Sequence, residues 1–404
     1  MKKKLLQGTL LLALIVVATW VGLFYWRNLR GVAPAIFAAA PDGALLVRQG
    51  KSPLTYPPEF AVHLFADGLP GARVMAFDPR GAMLVSMPAA GKVVALPDDD
   101  NNGRADRVVE VVTGLNRPHG LAFSKEPTPR LYVGEKDRVT AYDYDPAKMR
   151  ASAGQKICDL PAGGGHSTRT ILFRPPPDED QLLISVGSSC NACRETDWRR
   201  AKILVIDKDG GQLQTFASGL RNAVFMRVHP ATGEIWATEM GRDYLGDDLP
   251  PDEINIIKRG HDYGWPDCYG NNVPDAESPA AAGVSGACRD KTPSFLDIQA
   301  HSAPLGLDFF PSQGWPPQYR NAMLVAYHGS WNRTVPTGYK IVLYRFAERD
   351  NLLDRRDFIT GWLGDEKESS SGRPVDIRIM PQGLIYISDD KAGVIYRLHR
   401  QPET

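Results

Sequence analysis

"ARVMAFDPRGAMLVSMPAAGKVVAL", residues 72–96, holds three short apolar runs separated by two turn signals. "DPRG" and "PAAG" each join proline to glycine, which sets a tight reversal at either place. The runs between them are too short for helices, and Val, Leu, Met and Phe suit a pleated, buried surface. The unit reads strand, turn, strand, polar tip, strand. It recurs as "RPHGLAFSKEPTPRLYVGEKDRVTAYD" (117–143), and as "HSTRTILFRPPPDEDQLLISVGSS" (166–189) with "KILVID" (202–207). It recurs again as "RNAVFMRVHPATGEIWATEMGRD" (221–243) with "DEINII" (252–257). A fifth copy joins "SAPLGLDFF" (302–310), "NAMLVAYHGS" (321–330) and "KIVLYRF" (340–346), and "RPVDIRIMPQGLIYISDDKAGVIYRL" (373–398) is the sixth. A sandwich would give short strands, but not six similar units. Repeats spaced by about 45 to 80 residues predict a β-propeller. Residues 55–400 therefore read as an all-β, six-bladed propeller, and residues 31–54 as a tether.

The N-terminus is a separate device. Lys2, Lys3 and Lys4 precede an apolar run from Leu10 to Trp26, and Arg27 and Arg30 follow. With Leu5 and Leu6 the stretch is long enough to cross a membrane. Its aromatic end, "WVGLFYW" (20–26), suits a membrane interface better than a cleavage site. Residues 1–30 are thus expected to form a transmembrane signal anchor, with "FAAAP" (37–41) a place where cutting would instead make it a signal peptide. Either way the propeller is exported, and an uncleaved helix leaves it on the periplasmic side of the inner membrane. The chain carries 47 basic and 47 acidic side chains, a balance that argues against nucleic acid as a partner.

Export permits disulfides. Cys190 and Cys193 form a C-x-x-C, but Arg194 stands where haem attachment needs histidine, and there is no second pair for zinc. A local bridge stapling a loop is expected, with Cys268–Cys288 as a second bridge and Cys158 left over. The stretch "PDDDNNGRAD" (97–106) reads as a solvated turn.

In a propeller the loops entering the first strands meet around the axis. Polar residues there are neighbours in space: Arg117 and His119, His166 and Arg169, Arg221 and Asn222, His301 and Ser302, and Arg373. The tips after the second strands add Glu135, Lys136, Glu239, His328, Trp331, Arg333, Asp389 and Asp390. A set this rich in Arg and His suits an anionic ligand, since guanidinium forks pair with carboxylates or phosphates. Arg169 is expected to point away from the axis and pair with Asp178 or Glu179. His166 is approached through three glycines, "GGGHSTRTILF" (163–173), as a histidine that must meet a ligand would be.

"GGGHSTRTILF", "GLRNAVFMRVHPATGEIWATEMGRD" (219–243), "DEINIIKRGHDYGWP" (252–266) and "GRPVDIRIMPQGLIYISDDKAGVIYRL" (372–398) resemble the pyrroloquinoline-quinone-dependent sugar dehydrogenases. "AHSAPLGL" (300–307) and "AYHGSWNR" (326–333) look closest to the sorbosone branch. The resemblance implies a six-bladed propeller that binds pyrroloquinoline quinone (PQQ) and Ca2+ over its axis. It implies oxidation of a small sugar or aldehyde by hydride transfer to the quinone, with an electron acceptor that the residues do not name. His166 matches the general base, and Arg221 the arginine at the quinone oxygen. Asn222 and Arg373 match cofactor-binding positions. Gly241 and Arg242 match the pair whose backbone carbonyls bind calcium, with Arg242 in place of a frequent proline. His119 stands where some relatives have glutamine, and His328 or Arg333 where some have a quinone-contacting lysine. An aspartate of some glucose enzymes is Gly165 here, and the second arginine of the last blade's pair is Val375. His301 and Trp331 are candidates for touching substrate. Two other readings remain at this stage: a propeller lactonase or hydrolase, which would want more acidic side chains around a metal, and a noncatalytic propeller binding a sugar or an envelope partner.

Overall fold

A computed structural model describes residues 2–28, 53–278, 286, 288–347, 351–364 and 369–401. Six four-stranded antiparallel sheets are present, one for each sequence repeat. Blade one contains Met75–Phe77, Met83–Met87, Lys92–Leu96 and Val109–Thr113 in sequential order. Blades two and three follow the same up-and-down path over Gly120–Asp159 and Ile171–Ser218. In blade four the outermost strand, Leu296–Ile298, arrives after a long insertion that carries a small hairpin at Cys268–Tyr269 and Val273–Pro274. Blade five spans Pro304–Ile359. Blade six takes three strands from Pro374–Arg400 and its outer strand from Phe60–Ala66 near the start of the chain. Phe60 pairs with Arg400 and Leu64 with Tyr396, so the N-terminal strand closes the ring and leaves no open last blade.

The blades are joined by apolar packing and by buried polar groups that reach one blade onward. Trp236 of blade four lies against Phe309 and Phe346 of blade five, with ring centroids 5.3 and 5.6 Å apart. Thr238 Oγ1 donates to the Leu305 carbonyl at 2.7 Å, and Thr170 and Ser185 hydroxyls donate to the Val224 and Ala223 carbonyls. A polar side chain inside an otherwise apolar strand is thus satisfied by the neighbouring blade's first strand, as burial requires. Both expected disulfides are formed, Cys190–Cys193 and Cys268–Cys288, and Cys158 is free. Arg169 departs from expectation. It is fully buried and donates to the carbonyls of His166, Thr168 and Pro161, while Asp178 pairs with Arg174.

Lys2–Asn28 is one α-helix. Gln7–Asn28 is long and apolar enough to cross a membrane, with mean hydropathy 2.1. Its C-terminal end meets the propeller: the Phe24 ring lies 5.3 Å from Tyr244, and Tyr244 stands edge-on to Trp331 at 5.7 Å. Most of the tether expected at 31–54, with the alternative cleavage stretch, lies outside the described residues.

Candidate active site

The entries of the first strands converge as a propeller requires. His166, Arg221, Asn222, Gly241, His301, His328, Trp331 and Arg373 line one cavity of about 270 Å³. They come from four different blades.

His166 sits just before the first strand of blade three. Its Nδ1 lies 3.0 Å from both the carbonyl and the hydroxyl oxygen of Ser188. A carbonyl can only accept, and the Ser188 hydroxyl already donates to the Cys190 carbonyl at 2.6 Å. Nδ1 must therefore carry the proton, which leaves Nε2 as the bare nitrogen with a lone pair free to accept one. Burial, then the charge of Arg221, pulls the imidazole pKa down to about 3, so the ring is neutral at ordinary pH. The close approach is made by Gly187. A Cβ there would stand 2.6 Å from Asn222 Oδ1 and 2.7 Å from His166 Cβ.

Arg221 is almost fully buried, and every nitrogen of its guanidinium is held. Nε and Nη2 donate to the carbonyl and the side-chain oxygen of Asn191, each at 2.9 Å. Nη1 donates to the Gly241 carbonyl at 2.9 Å, and Nη2 also reaches Asp243 at 3.0 Å. The Asn222 backbone N–H donates to Glu239 at 2.7 Å, and burial raises the pKa of that glutamate well above the usual carboxylate range.

Arg373 is the opposite wall. Its Nε donates to the His328 carbonyl at 3.0 Å and its Nη2 to the Gly329 carbonyl, and it lies over the Tyr339 ring. Among the described residues no carboxylate forms an ion pair with it. His328 Nε2 donates to Asp390 at 3.0 Å, and burial with the nearby Arg373 charge lowers the imidazole to about 4. His301 has a left-handed backbone (φ 64°) and donates Nε2–H to the Gly246 carbonyl at 2.8 Å. Trp331 is 43% exposed and stands at the mouth.

Of the residues expected to hold cofactor, metal or substrate, three do not line this cavity, nor do the axial polar residues Arg117, Glu135, Lys136, Arg169, Glu239, Ser302, Asp389 and Asp390. His119 is buried deeper, with Nδ1 3.3 Å from Thr170 Oγ1 and its ring against Phe225. Arg333 binds Asp247 and Asp248 and knits two loops together. The Arg242 side chain turns to Asp275 at 2.9 Å. The cavity adds residues that sequence reasoning passed over: Met240, Asp243, Asp252, Ala303 and Asn332. Asp252 accepts from the Gly241 and Ala303 N–H groups at 2.9 Å each, and burial pushes its carboxyl up to about 7. The "GRD" and "DEIN" runs carried a signal for Asp243 and Asp252, since Asp252 opens the third strand of blade four and Asp243 lies in the loop that leads to it.

The chemistry of the wall is twofold. Arg373, part-buried and satisfied by main-chain carbonyls, keeps its charge available to an anion, while the buried Arg221 shares its charge with Asp243. The Gly241 carbonyl and Asp243, both also engaged by Arg221, and Asp252, which accepts two main-chain N–H groups, are hard oxygens, the donor type that calcium takes. The donor set therefore fits both a polycarboxylate cofactor and a calcium ion.

Residues 54–401 match the family model described as TrAA12-like. An uncharacterized protein of Borreliella burgdorferi is 34% identical over 307 residues, covering 72% of this chain and 78% of that protein. A pyrroloquinoline quinone-dependent sugar dehydrogenase of Hypocrea jecorina is 25% identical over 419 residues, covering 87% of this chain and 91% of its own. Among solved structures, a Trichoderma reesei carbohydrate-active enzyme of family AA12 superposes with TM-score 0.72 at 24% identity, covering 86% of this chain and 98% of that one. The holo pyranose dehydrogenase PQQ domain of Coprinopsis cinerea superposes with TM-score 0.71 at 21% identity, covering 86% and 97%. The structural matches establish the shared propeller, and the family match covers nearly all of it: the chain belongs to the TrAA12-like family.

Proposed function

We propose that this protein is a PQQ-dependent dehydrogenase that oxidises a sugar hydroxyl or a hydrated sugar aldehyde, acting on the periplasmic side of the inner membrane to which its first helix anchors it. The observation that carries the reading is the state of His166. Its Nδ1–H is committed to Ser188, so a bare Nε2 belongs to the same cavity wall as Arg221 and Arg373. That is a base beside an anion-binding wall. The sugar dehydrogenases among its relatives support the same assignment.

The quinone, when bound, supplies the two-electron acceptor that the protein itself lacks. Arg373, Asn222 and His328 would hold its carboxylates and ring polar groups, and the Gly241 and Arg242 carbonyls would serve calcium. His166 Nε2 takes the hydroxyl proton as the carbon it sits on is oxidised. Arg221, fixed on three sides, presents positive charge where negative charge grows. Trp331 and Tyr244 offer an apolar rim on which a sugar face can rest. The two disulfides support export, since such bridges persist outside the cytoplasm.

The deciding experiment is reconstitution of residues 31–404 with PQQ and calcium, following dye reduction across aldoses, sorbosone and simple aldehydes. Turnover that requires both additions is expected. Neither quinone binding nor turnover would leave a binding propeller in place of an enzyme.

A further inference from the structure

One turn touches both halves of the site. Ser188–Cys193 follows the second strand of blade three, and Cys190 and Cys193 close it into a small disulfide ring. At its start, Ser188 fixes the tautomer of His166 through two acceptor oxygens. In its middle, Asn191 grips Arg221 at two points, with its carbonyl on Nε and its side-chain oxygen on Nη2. The same side-chain oxygen accepts from the Asp243 N–H at 2.8 Å, and the side-chain amide donates to the Asp243 carbonyl at 3.0 Å. Such a two-point grip needs the main chain and side chain of one residue to face the same way. Among the described residues, no main-chain to main-chain hydrogen bond ties Asn191, Ala192 or Cys193 to a strand. Side-chain contacts hold the turn from outside, Glu195 on the Ser189 N–H and hydroxyl and Trp265 Nε1 on the Asn191 carbonyl, and the covalent ring adds the constraint from within.

We propose that the disulfide-closed turn Ser188–Cys193 is a positioning device for the site, with Asn191 setting Arg221 and Ser188 setting His166, and that its reduction turns the site down while the propeller stays folded. The inference rests on the proposed roles of His166 and Arg221. Exposure makes the bridge selectively addressable. Cys190 and Cys193 are partly exposed, whereas Cys268 and Cys288 are buried at 4% and 5%. The free Cys158 is pushed up to about 12 by burial, so it is a poor thiolate for exchange. The step balances with an external dithiol. The reductant gives two electrons and two protons and leaves as its own disulfide, the S–S bond breaks, and each sulfur becomes a thiol.

The test uses the full chain with PQQ and calcium, before and after mild dithiothreitol, with alkylation and mass mapping to show which bridge opened. Reduction of Cys190–Cys193 alone is expected to lower kcat about tenfold or more, with KM for the sugar changing much less. Reoxidation restores it. The double variant C190S/C193S reproduces the loss and no longer responds to dithiothreitol, and Asn191→Ala reproduces it with the bridge intact. A cofactor-free readout runs in parallel. In ¹⁵N-histidine spectra, with His166→Gln giving the assignment, the oxidised chain shows His166 as a pure Nδ1–H tautomer and the reduced chain a mixture. An unchanged kcat and tautomer after mapped reduction would overturn the proposal. So would a loss of kcat that merely follows cooperative unfolding of the propeller. Oxidised wild type without any quinone-dependent turnover would sink the functional reading instead, and the tautomer spectra would still judge the turn.

Discussion

Gly187→Ala separates the chemistry of the site from the stability of the fold. Gly187 lies just past the second strand of blade three, and its φ is not left-handed, so alanine brings no backbone strain there. The whole effect is collision, 2.6 Å from Asn222 Oδ1 and 2.7 Å from His166 Cβ. Carbon atoms rest about 3.5–4.0 Å apart, so His166 must retreat by roughly 1 Å. Overpacking of this kind costs about 1–3 kcal/mol, which a propeller of this size survives with a drop of a few degrees in its melting midpoint. A displacement of about 1 Å at a reacting group costs on the order of 100-fold in rate. Quinone-dependent dye reduction should therefore fall about 100-fold while the apo chain still melts cooperatively. The control is Gly163→Ala, three residues before the base, where an added Cβ meets nothing within 4 Å. It should keep turnover within about twofold. Wild-type turnover in Gly187→Ala, or equal damage in both variants, would refute the placement of His166 against Gly187.

Two further outcomes follow from charge. His166 is pulled down to about 3, and its working form is the deprotonated one, so activity is lost only as pH falls toward that value. The kcat/KM profile should show no acid limb near the ordinary histidine range between about pH 5 and 8, and Arg221→Gln, which removes a depressing charge, should move the limb to higher pH. A wild-type limb near 6.5 would contradict the burial assigned to the ring. Arg373→Gln removes a charge-assisted partner worth about 1.5–3 kcal/mol, so PQQ should bind about 10- to 100-fold more weakly in a spectral titration. The apo chain should melt little lower, because a part-buried charge without a carboxylate partner is also gone. Unchanged affinity would take Arg373 off the cofactor.

The blades were legible because turn chemistry and strand length are local properties. "DPRG" and "PAAG" set reversals whatever the rest of the chain does. The closing strand Phe60–Ala66 was not legible, since its partner lies more than three hundred residues away, as the pairing of Phe60 with Arg400 shows. His166, Arg221 and Asn222 could be found because strand entries map onto the axis. Depth and direction could not. His119 and Arg333 have the expected chemistry, yet one lies beneath the cavity and the other faces a neighbouring loop. The three glycines before His166 show the same limit. They read as one bare approach, but only Gly164 is left-handed (φ 85°) with its face 2.7 Å from Ser189, while Gly163 is free. Asn191 stands between two cysteines, and nothing local announces its grip on a residue thirty positions later.

The two ends of the axis differ in how their charges are used. Farther along the same first strands stand Arg227, Asp308, Asp376 and Arg378. Arg227 pairs with Asp376 at 2.8 Å, Asp308 lies 3.9 Å from Arg227 and 4.0 Å from Arg378, and Asp376 also accepts from the Met75 N–H at 2.8 Å. That end carries two cations and two anions in a circuit joining four blades. Its charges are spent on one another, and a ligand there would have to break ion pairs anchored on the fully buried Asp376. At the strand entries the balance differs. Arg221 has one carboxylate and several carbonyls, and Arg373 has carbonyls alone. A carbonyl satisfies the N–H groups of a guanidinium without cancelling its charge. Among the described residues Arg373 is thus the cation of the cavity wall without a carboxylate partner, and it shares that wall with the bare nitrogen of His166.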